Sequence, residues 1–321
     1  MKRWIKRILI GLTIILLFTV VTPLISYYFW YRSTVQSLEA NSQIATTALG
    51  TIEYASVGNG IPFLYLHGTP GGYDQTLLGY SIFPEQYANQ QLIAVSRPGY
   101  LRTPVESGVT FEQQADLYAA LLDELNIDKA VLYAASGGGY SGVQFALRHP
   151  DRLHAAVFYA PALGYEPLQA DSGEDSAFSR FMIDFLNWSV GGIFMNALAP
   201  SFIPNFDPND PEEVEFTRGL TRGAIPIKAR QPGIDNDLLQ RSFPEVDDWP
   251  FEEIEVPTLI MHGDADENSD YSKSVDMANR MPNATLVTYE GADHFILITE
   301  PALIRSETRR FVEEIMARET E

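Results

Sequence analysis

The chain has 321 residues and is 45% hydrophobic, enough for one large domain carrying an insertion. It contains no cysteine, which excludes disulfides, thiolate metal sites and a cysteine nucleophile. Acidic residues number 42 against 22 basic ones, and all the acidic ones lie beyond Arg32, so the bulk of the chain repels nucleic acid and anionic headgroups.

The first element is apolar. "MKRWIKR" places Lys2, Arg3, Lys6 and Arg7 ahead of an uncharged run from Ile8 to Tyr31, which ends in the aromatic cluster "YYFWY". As a helix this run would extend roughly 36 Å at about 1.5 Å per residue, enough for a bilayer core. Residues 1–32 are therefore expected to form a cytoplasmic basic stub and a transmembrane helix, with the remainder outside the cytoplasm by the positive-inside rule. The alternative is a cleaved signal peptide followed by secretion. The apolar run is longer than a signal core, however, and no convincing small-x-small site follows it. Residues 33–46 are polar and read as a tether.

Beyond the tether, short β-rich runs alternate with helical patterns. Strands are predicted at Thr51–Ser56, Pro62–His67, Leu92–Ser96, Ala130–Ala135, Ala155–Ala160, Pro257–His262 and Ala284–Tyr289. Helices are predicted at Phe111–Leu125, Gly138–Arg148, Tyr271–Met281 and Pro301–Ala317. Several strands are apolar at nearly every position, as in a parallel sheet covered on both faces, so the fold class is α/β. The catalytic domain is expected over residues 47–162 and 251–321. The alternation breaks over residues 163–250, read as a helical cap with an aromatic stripe from Phe178 to Leu198 and an acidic stretch, "PNFDPNDPEEVEF".

"VLYAASGGGYSG", from Val131 to Gly142, runs from a buried strand into a helix with almost no room to turn. Such a turn strains the backbone of Ser136 and presents its hydroxyl at the tip. Small residues must flank it, here Ala134 and Gly138. A serine hydroxyl needs a base held by a third group. His294 lies in the loop after the last predicted strand and Asp266 in the loop after the strand ending at His262, so both share one rim of the sheet with Ser136. The order Ser136, Asp266, His294 is that of nucleophile, acid and base; Asp270 is a second candidate for the acid. The glycine-rich loop after His67 suggests that the N–H groups of Thr69 and Gly137 form an oxyanion hole. His67 itself is expected to brace that loop. The acidic clusters read as solvated loops, and no metal or cofactor is expected.

These motifs, "HGTPGG", "SRPGY", "AASGGG", "RHPDRL", "HGDAD" and "GADH", occur in an order that resembles the α/β-hydrolase superfamily from about Thr51 to Ala317. The resemblance implies an eight-stranded, mostly parallel sheet, a cap over the site and a cofactor-free mechanism. It also implies a serine hydrolase, most simply a carboxylesterase acting on a small acyl substrate through an acyl-enzyme. The "TPGG" loop resembles the proline-iminopeptidase branch loosely, so an aminopeptidase-like activity stays open, as does an acyltransferase or perhydrolase. A non-catalytic binding protein of the same fold is the alternative from another class.

Overall fold

The structure is a computed structural model and describes residues 2–82, 84–164, 203, 206–240 and 248–319. Eight strands form one sheet in the order β1-β2-β4-β3-β5-β6-β7-β8. They are β1 Gln43–Thr47, β2 Gly50–Gly58, β3 Ile61–Leu66, β4 Gln90–Val95, β5 Ala130–Ala135, β6 Leu153–Tyr159, β7 Thr258–Gly263 and β8 Ala284–Tyr289. β2 is antiparallel to both of its neighbours, and every other pairing is parallel.

The strands alternate between two buried cores. Leu64 and Leu66 of β3, Leu132 and Ala134 of β5, and Ala156 and Phe158 of β6 face one cluster. Phe63 and Tyr65, Val131 and Tyr133, and Val157 and Tyr159 face the other. This two-residue period explains why the strands read as continuous apolar runs: both faces are covered. Helices α4 (Phe111–Glu124), α5 (Gly139–Arg148) and α8 (Tyr271–Arg280) pack on the first face, and α10 (Pro301–Glu319), which follows the short α9 (Ile296–Thr299), packs on the second. Each fully buried large side chain contributes about 1.5–3 kcal/mol of transfer free energy. α4 starts in a capping box, with Thr110 Oγ1 accepting from Gln113 N–H and Gln113 Oε1 accepting from Thr110 N–H.

Three expectations are not met as stated. The first, the transmembrane helix, finds no support. The apolar run is divided among α1 (Lys2–Leu16), a π-helical turn (Leu17–Val21) and α2 (Thr22–Ala40). Among the described residues no helix is long and apolar enough to cross a membrane. Pro23 supplies a physical reason for the break: it has no backbone N–H to give to the preceding turn.

The second is the tether, whose residues are ordered into the end of α2 and into β1. The end of α2 is also tied to the sheet. Leu38 O accepts from Tyr73 OH at 2.6 Å and from Ser42 Oγ at 3.0 Å. Glu53, fully buried on β2, accepts from Ser42 Oγ at 2.6 Å, Arg102 Nε at 2.7 Å and Ser96 Oγ at 2.8 Å. The third is α3 (Tyr73–Ile82), a helix where none was expected.

Within the expected cap, α6 (Pro211–Gly223) and α7 (Gln231–Gln240) are helices. The acidic stretch leads into α6, where the Asp210 carboxylate accepts from Glu212 N–H and Glu213 N–H. The aromatic stripe from Phe178 to Leu198 lies outside the described residues.

Candidate active site

Parallel strands β3, β5, β7 and β8 end on one rim, and the loops leaving those ends carry the predicted residues. Ser136 follows β5 directly, with φ at +47°, a left-handed conformation that costs a non-glycine residue about 1–3 kcal/mol. The strain is held in place by close packing. A methyl group added at Gly138 would lie 2.7 Å from Leu66 O and 2.9 Å from His67 O, both backbone atoms that cannot yield. A methyl group added at Gly68 would lie 3.1 Å from Ser136 Cβ. The loop carrying Thr69 is therefore packed against the serine.

His294 Nε2 lies 3.0 Å from Ser136 Oγ, and His294 Nδ1 lies 2.7 Å from Asp266 Oδ2. The carboxylate can only accept, so Nδ1 carries the proton and Nε2 is left as acceptor for the serine hydroxyl. Three residues far apart in sequence thus come together. Asp270 does not join them; its carboxylate caps α8, accepting from Ser272 N–H at 2.9 Å.

Asp266 is heavily solvated by the protein itself. Oδ2 accepts also from Ser269 Oγ at 2.7 Å and from His262 Nε2 at 3.0 Å. Oδ1 accepts from the backbone N–H groups of Asn268 at 2.7 Å and Ser269 at 3.0 Å. Burial alone would raise its pKa, but the hydrogen bonds from His262, His294 and Ser269 outweigh burial and hold the carboxyl well below its usual range. His262 is itself fixed, with Nδ1 2.7 Å from Ser274 Oγ. The backbone of His294 is fixed from β6, since Tyr159 OH donates to His294 O at 2.7 Å and accepts from Leu297 N–H at 2.9 Å.

The second loop is built around a buried ion pair. Arg97 grips Asp237 of α7 bidentately, Nη1 to Oδ1 at 2.9 Å and Nη2 to Oδ2 at 2.6 Å, with both side chains almost wholly buried. Arg97 Nε donates to His67 O at 2.9 Å, and Asp237 Oδ2 also accepts from Thr69 Oγ1 at 2.6 Å and Tyr100 OH at 2.7 Å. The Asp237 charge holds the Arg97 guanidinium more basic than usual despite burial. His67 has both ring nitrogens occupied: Nδ1–H donates to Gly68 O at 2.7 Å and Nε2 accepts from Arg97 N–H at 3.0 Å. Burial, and then the Arg97 charge, push its pKa well below the ordinary value, so it is a neutral brace, as its place in the sequence suggested. Gly137 follows the serine and is buried at the entry to α5.

Sequence reasoning did not find Ser269, the role of His262, or Asp237. Ser269 lies inside "HGDADENSD" and was within reach. Asp237 stands in no motif, and its partner is 140 positions away.

Comparison with known proteins places this geometry. A family model described as alpha/beta hydrolase fold matches residues 61–301. An uncharacterized hydrolase, YcgS of Bacillus subtilis, is 39% identical over 33% of this chain and 36% of its own length, so the chain spans about a third of that relative. The non-heme chloroperoxidase CPO-A1 of Kitasatospora aureofaciens is 28% identical over 79% of this chain and 92% of its own. Among solved structures, an alpha/beta hydrolase fold protein from Nakamurella multipartita is 28% identical, with a TM-score of 0.69 over 84% of this chain and 98% of that one. Relatives include esterase, haloperoxidase and perhydrolase sequences. The family match over most of the chain, on a sheet of the expected topology, shows that this chain belongs to the alpha/beta hydrolase fold family.

Proposed function

We propose that the protein is a serine hydrolase that cleaves carboxylic esters through an acyl-enzyme. The observation that carries the reading is the chain of contacts from Asp266 through His294 to Ser136, at 2.7 Å and 3.0 Å. In this reading His294 Nε2 takes the proton of Ser136 as Oγ attacks the ester carbonyl carbon. The carbonyl oxygen becomes an oxyanion facing the N–H groups of Thr69 and Gly137, each worth about 3 kcal/mol in the transition state. As the tetrahedral species collapses, the C–O bond to the alcohol breaks and His294 returns its proton to the leaving oxygen. Water, deprotonated by His294, then attacks the acyl-enzyme, and Ser136 leaves with that proton. Asp266 holds the imidazole tautomer throughout and stabilises the imidazolium that forms.

Hydrolysis of p-nitrophenyl esters by the intact protein, and its loss in Ser136→Ala, tests this reading. Ester turnover unchanged in Ser136→Ala would overturn it. A second reading draws support from the haloperoxidase and perhydrolase relatives. In it hydrogen peroxide replaces water as the acyl acceptor, giving a peracid, and peracid release in the presence of peroxide tests it.

A membrane location, with the catalytic domain outside the cytoplasm, belongs to the same proposal. Its support is the band of exposed apolar side chains that includes Trp4, Ile8, Ile14, Phe18, Leu24 and Phe29. Protease added to intact cells would remove the catalytic domain; complete protection would count against this placement.

A further inference from the structure

The stretch that carries Thr69 lies against the nucleophile. A methyl group added at Gly68, the residue before Thr69, would lie 3.1 Å from Ser136 Cβ and 3.6 Å from Ser136 Oγ. The stretch is gripped from outside at several points. His67 O accepts from Arg97 Nε at 2.9 Å, Thr69 Oγ1 donates to Asp237 Oδ2 at 2.6 Å, and Pro70 O accepts from Gln75 Nε2 at 2.8 Å. The middle grip acts on the residue whose N–H is assigned to the oxyanion.

A carboxylate can only accept, so the Thr69 hydroxyl proton points to Asp237 and its lone pairs are left for Arg97 Nη2, 3.1 Å away. Threonine is branched at Cβ and stiff at χ1, so a hydroxyl held from both sides also holds the backbone that bears it. Asp237 is a firm anchor. It is almost wholly buried, and the same Oδ2 accepts from Arg97 Nη2 at 2.6 Å and Tyr100 OH at 2.7 Å. Its helix, α7, is seated on the loop after β4 by backbone bonds. Gly233 N–H donates to Gly99 O at 2.8 Å, and just before α7 Ala229 O accepts from Leu101 N–H at 2.8 Å. A methyl group added at Gly99 would lie 2.5 Å from the backbone N and Cα of Gly233, so the two backbones are in direct contact.

We infer that Asp237 is a positioning residue for the oxyanion hole: its carboxylate, through the Thr69 hydroxyl, sets where the Thr69 N–H points in the transition state. The inference rests on the serine esterase reading. Asp237 acts through Thr69, 168 positions away in sequence, and not on the reacting atoms. The carbonyl oxygen moves into the hole as it gains charge, so a misaimed donor lowers kcat more than it raises KM.

The test measures p-nitrophenyl ester hydrolysis by the intact protein in wild type, Thr69→Val, Thr69→Ser, Asp237→Ala and the double variant of Thr69→Val with Asp237→Ala. Thr69→Val keeps the backbone N–H and the Arg97–Asp237 pair and removes the hydroxyl link. Its kcat should fall about tenfold to a hundredfold, as for a misplaced donor, with KM within about threefold. Thr69→Ser restores the hydroxyl and should return kcat to within about threefold of wild type. The double variant should lie within about threefold of the more impaired single variant, because both changes cut one link. A trifluoromethyl ketone, which adds to Ser136 and sets its oxyanion in the hole, should lose affinity for Thr69→Val by a factor similar to the loss in kcat. Unchanged kcat in Thr69→Val, a loss confined to KM, no recovery in Thr69→Ser, or additive losses in the double variant would overturn the inference while leaving the esterase reading intact. If Asp237→Ala does not fold, the two Thr69 variants decide. If wild type turns over no ester, that reading fails separately and the ketone titration decides: equal affinity in wild type and Thr69→Val would overturn the inference.

Discussion

Asp237 ties α7 to the loops that follow β3 and β4, and its removal is the perturbation with the largest effect expected outside Ser136, His294 and Asp266. Its carboxylate accepts from Arg97 at 2.6 and 2.9 Å, from Thr69 Oγ1 at 2.6 Å and from Tyr100 OH at 2.7 Å. Asp237→Ala leaves the Arg97 guanidinium, fully buried, without its counter-charge. Breaking a buried pair from one side costs about 3–5 kcal/mol. At roughly 2–4 °C per kcal/mol for a domain of this size, the melting temperature should fall on the order of 10 °C. The assay is urea and thermal denaturation of wild type, Asp237→Ala, Arg97→Met and the double variant. In the double variant the orphaned charge is gone, so its loss should be smaller than the sum of the two singles by at least about 1 kcal/mol. Additive losses, or an Asp237→Ala protein within about 1 kcal/mol of wild type, would refute the reasoning.

Other outcomes follow from the same geometry. Asp266→Asn keeps the shape but offers an amide N–H where the imidazole needs an acceptor, and kcat should fall about 10⁴-fold with little change in KM. Ser269→Ala removes one of five hydrogen bonds to that carboxylate, so ester turnover should fall by about tenfold or less, a graded loss that separates support from participation. The depressed pKa of buried His67 makes stability depend on pH in a fixed direction. Its neutral form is favoured in the folded state, so the contribution is complete above the unfolded value of about 6.5 and is lost as pH falls below it, by at most about 1.4 kcal/mol per pH unit. Urea midpoints measured at pH 7.5 and 5.5 should therefore drop more in wild type than in His67→Gln. The depressed carboxyl of Asp266 enters only below about pH 4 and does not disturb that window.

The central sheet was legible because β3, β5, β6 and β7 are buried on both faces and so spell unbroken apolar runs. Ser136 and Asp266 were legible because each sits just past such a strand, and His294 because it follows the half-exposed but β-rich β8, where parallel topology brings strand ends together. β1 was not, since Gln43, Ile44 and Ala45 lie at an exposed or half-exposed edge and read as polar linker. α3 buries only Tyr73 and Gly79 and carries no amphipathic stripe to betray it. The apolar N-terminal run was legible as a run, but not its division at the turn before Pro23. Asp237 was illegible for a different reason: its meaning depends on a guanidinium from the other side of the fold, and no local pattern encodes a partner.

The reactivity of one hydroxyl can be read directly by mass spectrometry after exposure to a fluorophosphonate. One adduct per chain is expected, on the peptide containing Ser136, formed in wild type and suppressed in His294→Ala protein that melts normally. An adduct on a different serine, or none on folded wild-type protein, would contradict it.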